Sequence, residues 1–420
     1  MKNLSAIIRL FIANTVSGFA QGISMIAIPW YFTKNLDAPS LMGAIYFAIT
    51  FTTLFWGLYA GTLVDRFNRK YLFIAETSVG AMVLLTAAAI GFYLQEVPIA
   101  IVAGVWAMTF WGYNLHYPAL YAFMQEITEA KDYGRITSYL EIQGQTTGAF
   151  AGGLGAFLLS GINAGYVDVA GWQLYQPFTV NAWSLQQIFL LDGLTYCVAF
   201  LCILPISYKA VSKRYKEVLP LVQRFKIGVD FLKNHRVLFV FGNAAYFVFV
   251  TTMLLTWLIV PNFVDNYLNA EAYIFGVGEM CFALGALFSG FMINRLFARS
   301  TNVMGCIVTT CISASAFVVL AFDRHIGVFL LMMVLLGLSN SGSRIMRVTY
   351  MFKHIPNQVL GRTQSVFQVI NVLFRLSLIA LLSLPFFVHN IGYAFIVLTT
   401  GCIVAAGVLV YYYKELVGNS

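Results

Sequence analysis

The sequence predicts an all-α polytopic membrane protein with twelve transmembrane helices in two pseudo-symmetric six-helix bundles. Three observations predict it. Hydrophobic residues make up 60% of the 420-residue chain and charged residues only 10%, against roughly a quarter in an average soluble protein. The apolar residues gather into twelve stretches of spanning length, and landmarks of the first half return in the second at a nearly constant offset. At ~20 apolar residues per crossing, this composition supports at most about twelve spans. Soluble enzymes, disordered chains and nucleic-acid modules are excluded.

The stretches fall near 7-32, 41-63, 71-94, 98-124, 138-160, 185-207, 237-263, 271-293, 301-322, 326-350, 363-388 and 391-413, separated by polar or Gly/Pro punctuation. The short connections within 271-322 and 363-413 leave room for a merged or broken helix. The basic start at Lys2 has the look of a signal peptide. However, the run to about Phe32 is too long and lacks a small-residue cleavage site, so it reads as a retained first span. Between spans five and six, 161-184 is nearly uncharged and either covers the outer mouth or is merely a long connection. The six cysteines all lie in apolar runs without a CxxC or Cys/His cluster, so neither a disulfide nor a metal site is expected.

Positive charge sets orientation, because short cytoplasmic loops collect Lys and Arg. With the N-terminus inside, 22 of the 25 basic residues fall in cytoplasmic segments, Arg347 and Arg362 among them, and only Lys34 and Arg324 fall outside. Arg375 is left in mid-span. Both termini are therefore expected in the cytoplasm, and the net charge of +8 is a topology signal. Segment 208-236 interleaves basic residues with Leu, Val, Phe and Ile. It reads as an amphipathic linker on anionic lipid, joining a bundle over 1-207 to one over 237-420.

Gly61, Asp65 and Arg66 after span two return as Gly290, Asn294 and Arg295 after span eight, an offset of 229. Gly134-Arg135 before span five returns as Gly361-Arg362 before span eleven, an offset of 227. The loop from Gly61 through Asp65, Arg66, Asn68, Arg69 and Lys70 resembles the signature of the major facilitator superfamily. Asn68 stands where the usual Gly would be, and Asn also tolerates a left-handed turn. The wider pattern, with LVDRFNRK, YPAL at 117-120 and KIGVDFLKNHR before span seven, is similar to the branch of macrolide-efflux proteins and the enterobactin exporter. The resemblance implies a conformational latch, with Asp65 on the positive N-terminus of helix eleven beside Gly361-Arg362 and with Arg66 and Arg69 holding it. The second latch, at Gly290, Asn294 and Arg295, lacks the acid. The alternative is that these residues only anchor the loops.

Span five carries Gly144, Gly148, Gly152 and Gly153. The run resembles the antiporter signature of exporters, with Ala149 in place of its Pro, and close helix packing explains the glycines as well. Ionisable residues within spans each need a reason. Glu279, about eight residues from the outer start of span eight, and Arg375, about twelve from the inner start of span eleven, come to similar depths at 1.5 Å per residue. They are expected either to couple transport to protons or to form a static ion pair. Asp192 is the second coupling candidate. Glu76 and Glu141 are expected in ion pairs with the basic loops, and His116 in a bland hydrogen-bonding role. The span-four Arg of many proton-coupled drug exporters is absent.

Asn14, Gln21, Trp106, Asn114, Gln143, Gln145, Asn243, Tyr246, Asn340, Gln368, Asn371 and Arg375 are the candidates to line a midplane cavity, or else to join helices. Amides and aromatics with few charges suit a bulky amphipathic compound. No Walker sequence, nucleophile constellation or catalytic residue is found, and no cofactor is expected. The resulting expectation is proton-coupled efflux by alternating access of an amphipathic small molecule, such as a macrolide drug or a siderophore. Uptake or lipid flipping by the same fold is the alternative. A multi-pass monomer of the bacterial inner membrane is expected, with protons, substrate and anionic lipid as its partners and no nucleic acid.

Overall fold

The computed structural model describes residues 4–129, 132–161, 165–169, 172–176, 179–207, 221–297 and 299–418. The first half forms α1 (Leu4–Trp30), α2 (Pro39–Arg66), α3 (Arg69–Leu94), α4 (Ile99–Ile127), α5 (Tyr133–Ser160) and α6 (Leu185–Ile203). The second forms α7 (Leu221–Asn234), α8 (Arg236–Leu254), α9 (Val260–Asn262), α10 (Ala272–Leu296), α11 (Asn302–Phe322), α12 (Ile326–His354), α13 (Asn357–Leu382), α14 (Pro385–His389), α15 (Ile391–Tyr411) and α16 (Tyr413–Gly418). Each predicted span is helical, and the chain is a multi-pass membrane protein. Among the described residues, ten helical segments are long and apolar enough to cross a membrane. The other two predicted spans, α4 and α5, are 29 and 28 residues long. They carry Asn114 and His116 and Gln143 and Gln145, which dilute their hydropathy.

Predicted span eleven is broken: α13 stops at Leu382 and Pro385 opens α14. Proline weakens a helix interior, where it removes a hydrogen bond and crowds the preceding turn, but suits a first turn. The connection after α5 is not purely loop, because Gly165–Val169 (β1) pairs antiparallel with Trp172–Gln176 (β2).

Two compact units emerge. The first holds Met1–Leu36, Phe51–Glu217 and Glu271–Met280; the second holds Asp37–Thr50, Val218–Ala270 and Cys281–Ser420. In the first, glycines set the crossing of α3 and α6: a Cβ on Gly80 would lie 2.6 Å from the Tyr196 ring, and one on Gly193 would lie 2.8 Å from Leu85 Cγ. In the second, a Cβ on Gly285 would lie 2.8 Å from the Val334 carbonyl carbon, and one on Gly337 the same distance from that of Phe282. The backbones of α10 and α12 therefore touch. The amphipathic α7 turns Leu232 into the core of this unit, with Phe225 and Val229 beside it. A Cβ on its Gly228 would meet the Arg362 carbonyl group at the start of α13.

A repeat in the backbone adds to the repeat in the sequence. α1 continues into a π-helical turn, Tyr31–Asn35, and α9 into another, Phe263–Tyr267. Leu36 N–H closes the first on the Tyr31 carbonyl at 3.1 Å, and Leu268 N–H closes the second on Phe263 at 2.9 Å. Each is followed by a left-handed residue, Asp37 (φ 48°) or Asn269 (φ 50°). Asp and Asn are side chains that accept this conformation at low cost.

Candidate functional site

In the first unit, α1 aligns Asn14, Ser17, Gln21 and Ser24 at spacings of three and four, which places them on one face. Asn14, Ser17 and Gln21 line a cavity of about 130 Å³. Glu76 of α3, Tyr113, His116 and Tyr117 of α4, Gly144, Thr147 and Gly148 of α5, and Tyr196 of α6 complete it. At ~30 Å³ per water, the space holds a few waters or a small head group.

The polar groups form a connected network. His116 Nδ1 lies 3.1 Å from Glu76 Oε1, and Nε2 lies 2.7 Å from Asn14 Oδ1. Asn14 Nδ2 donates to Gln143 Oε1 at 3.2 Å, and Gln143 Nε2 donates to the Phe11 carbonyl at 2.8 Å and to Thr15 Oγ1. Gln21 donates to the Tyr196 hydroxyl at 2.9 Å. Deeper in the packing, Ser24 donates to Asp192 Oδ2 at 2.6 Å. Asp192 is 1% exposed, and its Oδ1 has no hydrogen-bond partner.

Several expectations shift here. Glu76 does not pair with the basic loops; it faces the cavity and His116, which joins two helices to a third. The Glu141 side chain lies outside the described residues. Trp106 is fully buried against Phe110 and is not among the cavity's lining residues. Asn114 turns to its own helix, donating to the Phe110 carbonyl, as Asn243 does to that of Phe239. Gln145 is half-buried, as is Asn340, while Gln368 is exposed.

The second unit holds two buried arginines. Arg375 is buried beside the Tyr46 hydroxyl, with Asn371 one turn away and also buried. Arg347 is no loop anchor: it is 3% exposed, donates to the Ala245 carbonyl at 3.0 Å and lies 3.6 Å over the Tyr246 ring. Tyr246 in turn donates to Gln364 at 2.8 Å. Glu279, half-buried, belongs to the first unit, where its Cβ lies near Gly152. The α5 glycines divide between two roles. A Cβ on Gly152 would lie 3.0 Å from the Gly276 carbonyl oxygen and one on Gly153 would lie 3.3 Å from Met280 Sδ, whereas Gly144 and Gly148 face open space.

Of the latch residues, the side chains of Asp65 and Asn294 and the surroundings of Gly61 lie outside the described residues. Arg66 and Arg295 are exposed, and Gly290 and Gly361 face open space. Arg69 is buried and pairs with Glu126 of α4, Nε to Oε1 3.6 Å. Lys70 donates to the Leu204 carbonyl at 2.7 Å. Asn68 is not left-handed. With φ −66° and ψ 126° it caps α3, its side chain accepting from the Lys70 N–H, because a helix start needs an acceptor for its free N–H groups. Sequence reasoning missed the Glu76–His116 contact, the burial of Arg69 and Arg347, and the cavity tyrosines. The one signal available was Glu76 and His116 standing in spans.

Solved structures of similar fold include a mutant of the nucleoside transporter NupG, at 13% identity and TM-score 0.73 with 97% of this chain and 100% of that one covered. A bacterial homologue of the iron transporter ferroportin follows, at 12% and 0.71 with 98% and 99% covered. A D-xylose-proton symporter follows at 12% and 0.70, with 97% of each covered. Such identities show the fold alone. No curated protein matches the chain. Residues 10–377 match the family described as Major Facilitator Superfamily, so the chain, with its helices and solved neighbours, belongs to the major facilitator superfamily of membrane transporters.

Proposed function

We propose that the chain exports a bulky amphipathic small molecule, such as a macrolide-like drug or a siderophore, in exchange for protons by alternating access. The site is that of a bacterial inner membrane, with both termini cytoplasmic. The observation that supports this most is the pair of carboxylates, Asp192 and Glu76, in the interior of a membrane-spanning unit, whose hydrogen-bond partners among the described residues are a hydroxyl and an imidazole group. Placing an ionisable group there costs about 2.5–3.5 kcal/mol on insertion scales, and taking up a proton removes that cost. Glu279 and Arg375 are the further coupling candidates. The stem of α7 rests on its own unit, and Arg224, Lys226 and Lys233 are the groups to meet anionic lipid.

The test is proton flux in proteoliposomes under an imposed pH gradient, with amphipathic candidates supplied. Substrate-dependent flux is expected from the native chain, and at least a tenfold loss from Asp192→Asn, Glu76→Gln or Glu279→Gln. Normal coupled flux in all three variants would refute the carboxylate assignment, and the absence of counterflow with every candidate would refute export.

A further inference from the structure

One hydrogen-bond chain in the first unit fixes where a proton can sit. Gln143 Nε2 donates to a backbone carbonyl, that of Phe11, at 2.8 Å. A carbonyl only accepts, so turning the amide over would set two acceptors against each other. Gln143 Oε1 therefore faces Asn14 Nδ2, which directs Asn14 Oδ1 at His116 Nε2, 2.7 Å away. An amide oxygen carries no proton, so Nε2 is the donor. In the neutral imidazole, Nδ1 then holds a lone pair, and it faces Glu76 Oε1 at 3.1 Å. With Glu76 ionised, two acceptors oppose each other. A single proton between them converts the contact into a charge-assisted hydrogen bond.

The pair is thus a one-proton site, neutral when filled and carrying one negative charge when empty. The empty state is costly inside a membrane unless another cation replaces the proton. The surroundings suit such a replacement. Glu76 Oε2 is buried without a hydrogen-bond partner. Tyr113 and Tyr117 stack at 5.8 Å in the wall of the same cavity, and tyrosine faces attract cations, quaternary ammonium above all. Among the described residues, Tyr196 of α6 is a further titratable group that interacts with Glu76, and it interacts in turn with Asp192 of the same helix. Among the described residues, the cavity receives only neutral side chains from α1 and α5, and no Lys or Arg lines it.

Resting on the export reading above, the geometry points to a site in the first unit where a proton and a monovalent organic cation compete for the Glu76 carboxylate. As the proton arrives between Glu76 and His116 Nδ1 the cation leaves, one positive charge for one, with no other bond made or broken. The substrate class is then an amphipathic compound with a cationic ammonium head, sized to the cavity.

The test uses the full chain in detergent and benzyltrimethylammonium, whose charge does not change with pH. Affinity is expected to fall about tenfold per pH unit below the point where the pair fills, with about one proton released per cation bound in weak buffer. Glu76→Gln is expected to lose at least tenfold in affinity and all proton release. Should that variant fail to fold, His116→Gln serves: it keeps binding and moves the pH at which affinity falls. Binding that ignores pH, binding without proton release, no binding at all, or a native pH profile in His116→Gln each overturns the site. Proton-for-cation exchange in detergent with no pH-driven flux in vesicles supports the site and overturns export. The reverse result, pH-driven flux of a neutral compound without that exchange, overturns the site and leaves export standing.

Discussion

Replacing Gly285 or Gly337 with alanine should loosen the crossing of α10 and α12. A Cβ on Gly285 would lie 2.8 Å from the Val334 carbonyl carbon and 3.0 Å from the Leu338 nitrogen; on Gly337 it would lie 2.8 Å from the Phe282 carbonyl carbon and 3.0 Å from its Cα. The carbonyl oxygens of Val334 and Phe282 stand closer still to these two positions; because heavy atoms in contact prefer about 3.5–4.0 Å, the helices must part by more than about 1 Å, which forfeits at least about half of each dispersion well nearby. Overpacking of this kind costs about 1–3 kcal/mol, and the gain of alanine over glycine within a helix offsets ~0.5–1 of it. The approach of the two carbonyl oxygens puts the clash at the upper end of that range, so the expected net loss is about 2 kcal/mol for each variant. Because both substitutions open the same gap, the double variant should lose less than their sum. Unfolding by SDS titration in mixed micelles measures this, with Gly104→Ala and Gly407→Ala as controls. No atom stands within 4 Å of a Cβ at either control position, so alanine there should be neutral or stabilising. A Gly285→Ala variant as stable as the controls would refute the packing argument.

Three further outcomes are expected. Asn68→Ala should destabilise the protein by about 0.5–2 kcal/mol and Asn68→Gly by only a few tenths, as at other helix N-caps; a glycine variant more stable than the native chain would instead indicate a left-handed turn. Ser24→Ala should cost about 1.5–3 kcal/mol, because it takes the donor from a buried carboxylate; in an Asp192→Asn background the cost should shrink, and a double-mutant cycle showing no coupling would count against the contact. Arg69→Met should cost about 1–3 kcal/mol by taking the cationic partner from the half-buried Glu126, with partial recovery when Glu126→Gln is added; equal stability of Arg69→Met and the native chain in denaturant titration would show the pair to be dispensable.

The helices were legible because the bilayer demands ~20 apolar residues per crossing, and that demand leaves its mark residue by residue. α7 was legible for a related reason, since its charges interrupt an apolar face. The break at Pro385 could be anticipated only as a short connection, although the proline itself carries the reason. The site was less open to reading. Asn14, Gln21 and Gln143 stand out as amides in spans, and they do line the cavity or bond across it. Which acid faces which base depends on how helices are rotated in the bundle, and no single-chain pattern encodes that. Glu76 therefore reads as a partner of the loop charges although it faces His116, and Arg347 reads as a topology marker although it lies over the ring of Tyr246. Depth along a helix can be counted from sequence, whereas azimuth cannot.

Of the three π-helical turns among the described residues, Tyr31–Asn35 and Phe263–Tyr267 stand 232 positions apart, as do the left-handed residues Asp37 and Asn269 that follow them; the third, Leu255–Ile259, has ordinary α-helix at the matching place in α1. A π-turn is rare and is found mostly as a single-turn bulge, frequently at functional sites. Both halves of this chain keep one at the matching place, while the signature loops carry Asp65 in one half and Asn294 in the other. The backbone of the two halves is here more alike than their side chains.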